Sequence, residues 1–92
     1  MKYQVDVLQY EDSANGEDEG NGCYFLAVHE SGVKELDVDK NYYSLEISEK
    51  FEIDFSEMVV KHGGFLDGID LFFPYKYQAE TCKRELKALI NK

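Results

Sequence analysis

The sequence predicts an α+β domain in which an antiparallel sheet of four to six short strands packs against one C-terminal helix. Three observations lead there. Residues 2–10 alternate with a period of two, as a half-buried strand does. Turn dipeptides recur at Asn15-Gly16, Asn21-Gly22, Ser31-Gly32 and Asp67-Gly68 and cut the middle of the chain into short segments. Near the end, Tyr75, Ala79, Cys82, Leu86, Leu89 and Ile90 recur at helical spacing.

In the first strand Tyr3, Val5 and Val7 share one face, with Gln4, Asp6 and Leu8 on the other. Residues 11–22 follow with three glycines and five carboxylates, which makes them a mobile acidic surface loop. Residues 23–30 are mostly apolar on both faces, the mark of a central strand. After the Ser31-Gly32 turn, Val33 to Val38 alternates weakly, as a short return strand would. Asp39-Lys40-Asn41 is a further turn, and Tyr43, Leu45 and Ile47 share one face of the next strand.

Residues 51–62 carry two patterns. Phe51, Ile53 and Phe55 alternate with Glu52 and Asp54, which favours a strand over 51–55. Ser56 to His62 followed by Gly63 also fits a short capped helix, so 56–62 stays open between the two. Ile69 to Phe73 reads as another strand. The helix then runs over about 75–91, with Pro74 where a helix start tolerates it and Glu80 spaced to pair with Arg84. No repeat or linker divides the chain, so 1–92 is expected to be a single domain.

Charge is the unusual property. The 92 residues hold 19 acids and 10 bases, a net charge of −9. Residues 1–72 carry 17 of the acids and 5 of the bases, net −12, while residues 73–92 carry the remaining 2 and 5, net +3. Such a body repels nucleic acid and anionic membrane and attracts basic proteins. Neither direct nucleic-acid binding nor membrane binding is expected. Met1-Lys2 is followed by a polar alternation rather than a leader's apolar run, and no stretch reaches the roughly 18 apolar residues of a membrane span. The expected location is the cytoplasm, with Cys23 and Cys82 reduced.

Catalytic and metal chemistry find little footing. A calcium loop begun at Glu11 places Ser13, Asn15 and Gly16 correctly but meets Gly22 where the bidentate Glu belongs. Cys23, His29, His62 and Cys82 lack any close metal-ligand spacing, and Cys23 to His29 spans ~20 Å of strand. His62-Gly63-Gly64 has no Gly-x-Ser-x-Gly elbow to serve. The expectation is therefore a protein without enzymatic activity, metal or cofactor.

The acidic strand faces suggest a different role. With Phe51, Ile53 and Phe55 inward, Glu52 and Asp54 point outward, as do Glu46 and, near 33–38, Glu35 and Asp37. Same-face strand residues recur every ~6.6 Å, close to the spacing of successive phosphates along a nucleic-acid strand. Together with Glu17, Asp18 and Glu19 they would present a row of negative charge to a Lys- and Arg-lined groove. Of the adjacent pair Tyr42-Tyr43 one must face outward, and Tyr42 is the expected anchor; Phe72 is expected in the core.

In general character the chain resembles the small acidic proteins by which phages and mobile elements block host nucleases, anti-CRISPR proteins among them. It also resembles the immunity proteins that neutralise basic nuclease toxins. The resemblance implies a non-catalytic inhibitor that mimics nucleic acid and blocks a basic nucleic-acid-binding protein or nuclease; the residues expected to carry it, from the acidic faces and loop and the tyrosine pair, are Glu17, Asp18, Glu19, Tyr42, Glu46, Glu52 and Asp54. The competing reading is a structural or assembly subunit that docks through an edge strand or an aromatic patch. A small enzyme or metal-dependent regulator is a third. Partner identity and oligomeric state stay open.

Overall fold

The computed structural model describes residues 2–9, 24–32 and 40–92. Eight elements follow in chain order: β1 (Tyr3–Gln9), β2 (Tyr24–Glu30), β3 (Asn41–Tyr43), α1 (Ser44–Phe51), α2 (Phe55–Lys61), β4 (Phe65–Asp67), β5 (Asp70–Phe72) and α3 (Lys76–Ile90). The fold is α+β. Among the described residues there are three helices where one was expected, and the strands form two antiparallel sheets, β1-β2-β3 and β4-β5.

β2 is the central strand, as its two apolar faces predict. It pairs along its length with β1, from Tyr3 opposite Glu30 to Gln9 opposite Tyr24, and on its other side with β3 over Ala27 to His29. Beyond the end of β3, Tyr24 bridges Phe73 in both directions, at 3.3 and 2.8 Å, and this joins the two sheets. One face of the sheets carries Val5, Leu26, Val28, Leu71 and Phe73 into a core completed by Ile47 of α1, Phe55, Met58 and Val59 of α2, and Ala79, Cys82 and Leu86 of α3. All three helices therefore lie on that face. Burial of this apolar area is the main stabilising term of the fold.

The strand expected from Tyr43, Leu45 and Ile47 is a helix from Ser44 onward. Only Ile47 of this trio is buried, and Leu45 is exposed. Glu46 starts the helix by accepting the Tyr43 backbone N–H at 3.0 Å, one half of a capping box. Straight-chain Leu, Glu and Lys then favour the helical state over the strand. The expected strand at 51–55 is likewise overturned. Phe51 closes α1, Glu52 adopts a left-handed conformation at φ 55°, and Asp54 caps α2 by accepting the Glu57 N–H at 3.0 Å. Phe51, Ile53 and Phe55 do turn inward, but from a helix–turn–helix corner. Ser48 staples that corner, its carbonyl taking Ile53 N–H at 3.2 Å and its hydroxyl taking Phe55 N–H at 3.2 Å.

The segment left open at 56–62 is α2, and Gly63 ends it at φ 92°. Gly64 then passes so close to Val59 and the Phe72 carbonyl that a Cβ would lie 2.4 and 2.7 Å from them. This is what His62-Gly63-Gly64 does: it stops a helix and lets β4 pack. The C-terminal helix runs close to its expected span, with Ala79, Cys82 and Leu86 as its buried stripe. Tyr75 is not part of that stripe; it is the exposed N-cap residue, its N–H bonded to Gln78 at 3.2 Å. Glu80 and Arg84 do not pair with each other, and neither forms an ion pair among the described residues. The acidic loop 11–22, Cys23 and the return strand at 33–38 lie outside the described residues.

Candidate protein-binding face

The junction of the two sheets contains a notch. β3 pairs with β2 only as far as Ala27, and Phe73 takes up Tyr24, so Phe25 and Leu26 lie between the two partners. Leu26 points into the core; Phe25 alternates to the other face. There a cavity of about 230 Å³ opens, lined among the described residues by Phe25, Tyr43, Ser44, Asp70, Leu71 and Phe72. Its walls are mainly apolar, and its rim brings the Ser44 hydroxyl within 3.5 Å of the Asp70 carboxylate.

Its three rings belong to a longer aromatic row. Tyr43, Phe25, Phe72 and Phe65 follow one another at centroid distances of 6.0, 6.1 and 6.1 Å. The row draws one ring from each of β3, β2, β5 and β4 and so crosses the seam between the sheets. Phe72 is thus a half-buried wall of the notch, and the core position expected for it belongs to Phe73.

Ser44 sits at the rim in the left-handed region, at φ 43°. The chain passes from β3 to α1 at this residue without a loop, and a non-glycine residue held there costs on the order of 1–2 kcal/mol. A strained serine on a strand-to-helix turn has the shape of a nucleophile elbow. Here the hydroxyl's partner is Asp70, and no imidazole contacts it among the described residues. The geometry suits a binding rim better than an activated nucleophile.

The expected site residues divide into three groups. Glu17, Asp18 and Glu19 lie outside the described residues. Glu46, Glu52 and Asp54 are exposed, but they stand at the ends of α1 and α2 rather than along a strand, so the regular strand spacing does not apply to them. Glu49 and Glu57 join them on the same two helices. None of these five carboxylates forms an ion pair among the described residues. The two lysines nearby are engaged elsewhere. Lys50 turns to the aromatic side, 5.4 Å from the Tyr42 ring centroid, and the phenols of Tyr3 and Tyr42 hold its pKa above the ordinary value. Lys61 pairs with Glu85 at 2.9 Å.

Tyr42 itself is half-buried against Phe51 and the core, and the ring facing the notch is Tyr43. The parity of the pair was legible in the sequence; which ring faces which way follows from the pairing of Tyr43 with Ala27 and Tyr42 with Val28. Phe25, Tyr43, Ser44 and Asp70 are the site residues that sequence reasoning missed. The faint signals were Tyr43-x-x-Glu46, which marks a helix start, and the Asp67-Gly68 turn that places β5.

Comparison with protein-family models, with curated protein sequences and with solved structures gave no match.

Both histidines meet carboxylates. His62 Nε2 meets Glu85 Oε1 at 2.8 Å, and the His62 and Lys61 hydrogen bonds lower the Glu85 pKa. His29 Nε2, buried on β2, donates to the Asp6 carboxylate of β1, while its Nδ1 has no hydrogen-bond partner among the described residues. Cys82 lies on the buried face of α3, and desolvation pushes its thiol up to about 12. Among the described residues no three His, Cys, Asp or Glu side chains converge as a metal site would require, and no helix is long and apolar enough to cross a membrane.

Proposed function

We propose that this is a non-catalytic binding protein, an inhibitor, that covers the basic surface of a nucleic-acid-binding protein or nuclease. The observation that supports it is the charge balance of the α1–α2 segment. Five exposed carboxylates, Glu46, Glu49, Glu52, Asp54 and Glu57, lie within twelve residues while Lys50 and Lys61 are held by Tyr42 and Glu85. An uncompensated anionic ridge of this kind steers a cationic partner and repels polyanions, so the partner is protein rather than nucleic acid or membrane. A cytoplasmic location belongs to the same proposal.

Affinity capture from a lysate of the source cells, with elution in graded salt, tests it. The immobilised wild-type chain is compared with a Glu49→Lys/Glu57→Lys variant of matched thermal stability. A basic protein should be retained at low salt, released as salt rises, and missed by the variant. Retention that survives molar salt and the double reversal would sink the electrostatic reading.

A second reading, assembly through apolar contacts, has its own support in the exposure of Leu66, Ile69 and the stacked pair Tyr75–Tyr77, whose rings lie 5.8 Å apart. Its mark would be salt-insensitive, concentration-dependent association in sedimentation velocity, abolished by Leu66→Ser/Ile69→Ser.

A further inference from the structure

We infer that the notch between β3 and β5 receives an arginine side chain of the partner protein, an inference that rests on the proposal of a basic partner and names the contact point. The size argues first. At about 230 Å³ the cavity falls below the roughly 300–1,000 Å³ of small-molecule clefts and suits a single side chain. Its walls argue next. Phe25, Tyr43 and Phe72 surround it with ring faces and edges, Leu71 closes the bottom, and Asp70 offers an exposed carboxylate beside the Ser44 hydroxyl. An apolar sleeve with one anion at its mouth complements a side chain that is apolar along its stem and cationic at its head.

Arginine fits these groups better than lysine. A planar guanidinium stacks on aromatic faces and meets a carboxylate through two parallel N–H bonds, whereas a compact ammonium keeps its water. The positive end of the α1 dipole points toward the rim and opposes any cation there. Glu46 in the first turn of α1, bonded to Tyr43 N–H, offsets it, which leaves Asp70 to act on the ligand. The strain at Ser44 belongs to the same arrangement. By turning out of the sheet at φ 43° the chain keeps β3 from continuing alongside Phe25, and the cavity opens where a longer β3 would have run. The aromatic row continues from the notch to Phe65, in steps close to the ~6.6 Å between alternate side chains of an extended strand. An extended partner segment could thus lie along it with its arginine seated between Tyr43 and Phe72.

The test titrates the full chain with N-acetyl-arginine amide and follows backbone and side-chain NMR shifts. N-acetyl-citrulline amide, nearly isosteric but neutral, and N-acetyl-leucine amide serve as controls. Saturable shifts confined to Phe25, Tyr43, Ser44, Asp70, Leu71 and Phe72 are expected with the arginine probe alone, and Asp70→Asn should weaken it roughly tenfold. Asp70 is exposed, so this variant is expected to fold. Equal binding of leucine or citrulline amide, shifts that never saturate, or an unchanged affinity in Asp70→Asn would overturn the inference. If salt-sensitive capture through Glu49 and Glu57 persists while the arginine probe leaves the six residues unmoved, the notch fails and the acidic-ridge reading stands. If the probe saturates the notch while capture ignores salt, the notch stands and the ridge fails.

Discussion

Asn91 and Tyr3, 88 positions apart in sequence, are joined by a reciprocal pair of hydrogen bonds: the Asn91 side-chain carbonyl accepts from Tyr3 N–H at 2.8 Å and its amide donates to Tyr3 C=O at 2.9 Å. β1 is an edge strand among the described residues, and Tyr3 belongs to the row of backbone groups that faces away from β2. The Asn91 amide reproduces there what a neighbouring strand would have supplied, and it fastens the end of α3 to the sheet.

Asn91→Ala removes both bonds and leaves two half-buried backbone groups to find water. A loss of about 1–2 kcal/mol in urea unfolding is expected. Asn91→Asp keeps the acceptor and loses the donor, so it should fall between wild type and Asn91→Ala at neutral pH.

Glu52 tests how conformation and display are divided. It holds φ 55° at the end of α1, where glycine is the usual occupant, and its backbone N–H bonds the Ser48 carbonyl. Glu52→Gly should raise stability by several tenths of a kcal/mol, up to about 1, measured as the denaturant midpoint. Under the proposed function the same variant should bind the basic partner more weakly. A rise in both stability and affinity would remove Glu52 from the binding surface.

Cys82 should be chemically silent in the folded chain. It is buried, and desolvation lifts its thiol to about 12, so the thiolate is scarce near neutral pH. In a Cys23→Ser background, a thiol reagent at pH 8 should label Cys82 only as fast as the protein opens, and immediately in denaturant. Fast stoichiometric labelling under native conditions would contradict this burial.

Glu85 gives a pH dependence of known sign. Hydrogen bonds from His62 and Lys61 depress its pKa below the ordinary 4.5 in the folded state. A depressed carboxylate stabilises the fold at pH values above its unfolded pKa and loses that contribution as pH falls through the folded pKa. The stability difference between wild type and Glu85→Gln should therefore be flat above about pH 5 and shrink below pH 4.5. Its size should stay within about 1 kcal/mol, because the carboxylate and Lys61 are both partly exposed. Thermal denaturation of the two proteins from pH 7 to pH 3 reads it directly.

β1, β2, β5 and α3 were legible because each announces itself locally. Tyr3, Val5 and Val7 alternate, β2 is apolar on both faces, and Ala79, Cys82 and Leu86 keep a helical period over several turns. The α1–α2 corner was not. Phe51, Ile53 and Phe55 alternate because a turn between two short helices brings every second residue to the core, which mimics a strand. The stop between them is Glu52 in a conformation that normally calls for glycine, so the usual punctuation is missing. The inward and outward sense of these residues survived the error, since burial alone decides it. The exposure of Glu46, Glu52 and Asp54 therefore held while their strand spacing did not. The notch lay beyond local reading altogether: its rings come from three strands, β2, β3 and β5, and their meeting depends on the Tyr24–Phe73 bridge, a pairing of residues 49 positions apart.

The loopless passage at Ser44 has a mechanical consequence. β3 ends at Tyr43 and α1 begins at Ser44, so a tilt of the helix bearing Glu46 and Glu49 would carry Tyr43 with it and alter the mouth beside Asp70. Tension applied to the ridge is felt at the aromatic socket, and a tightly gripped arginine would in turn fix the angle at which the acidic helices meet whatever they oppose.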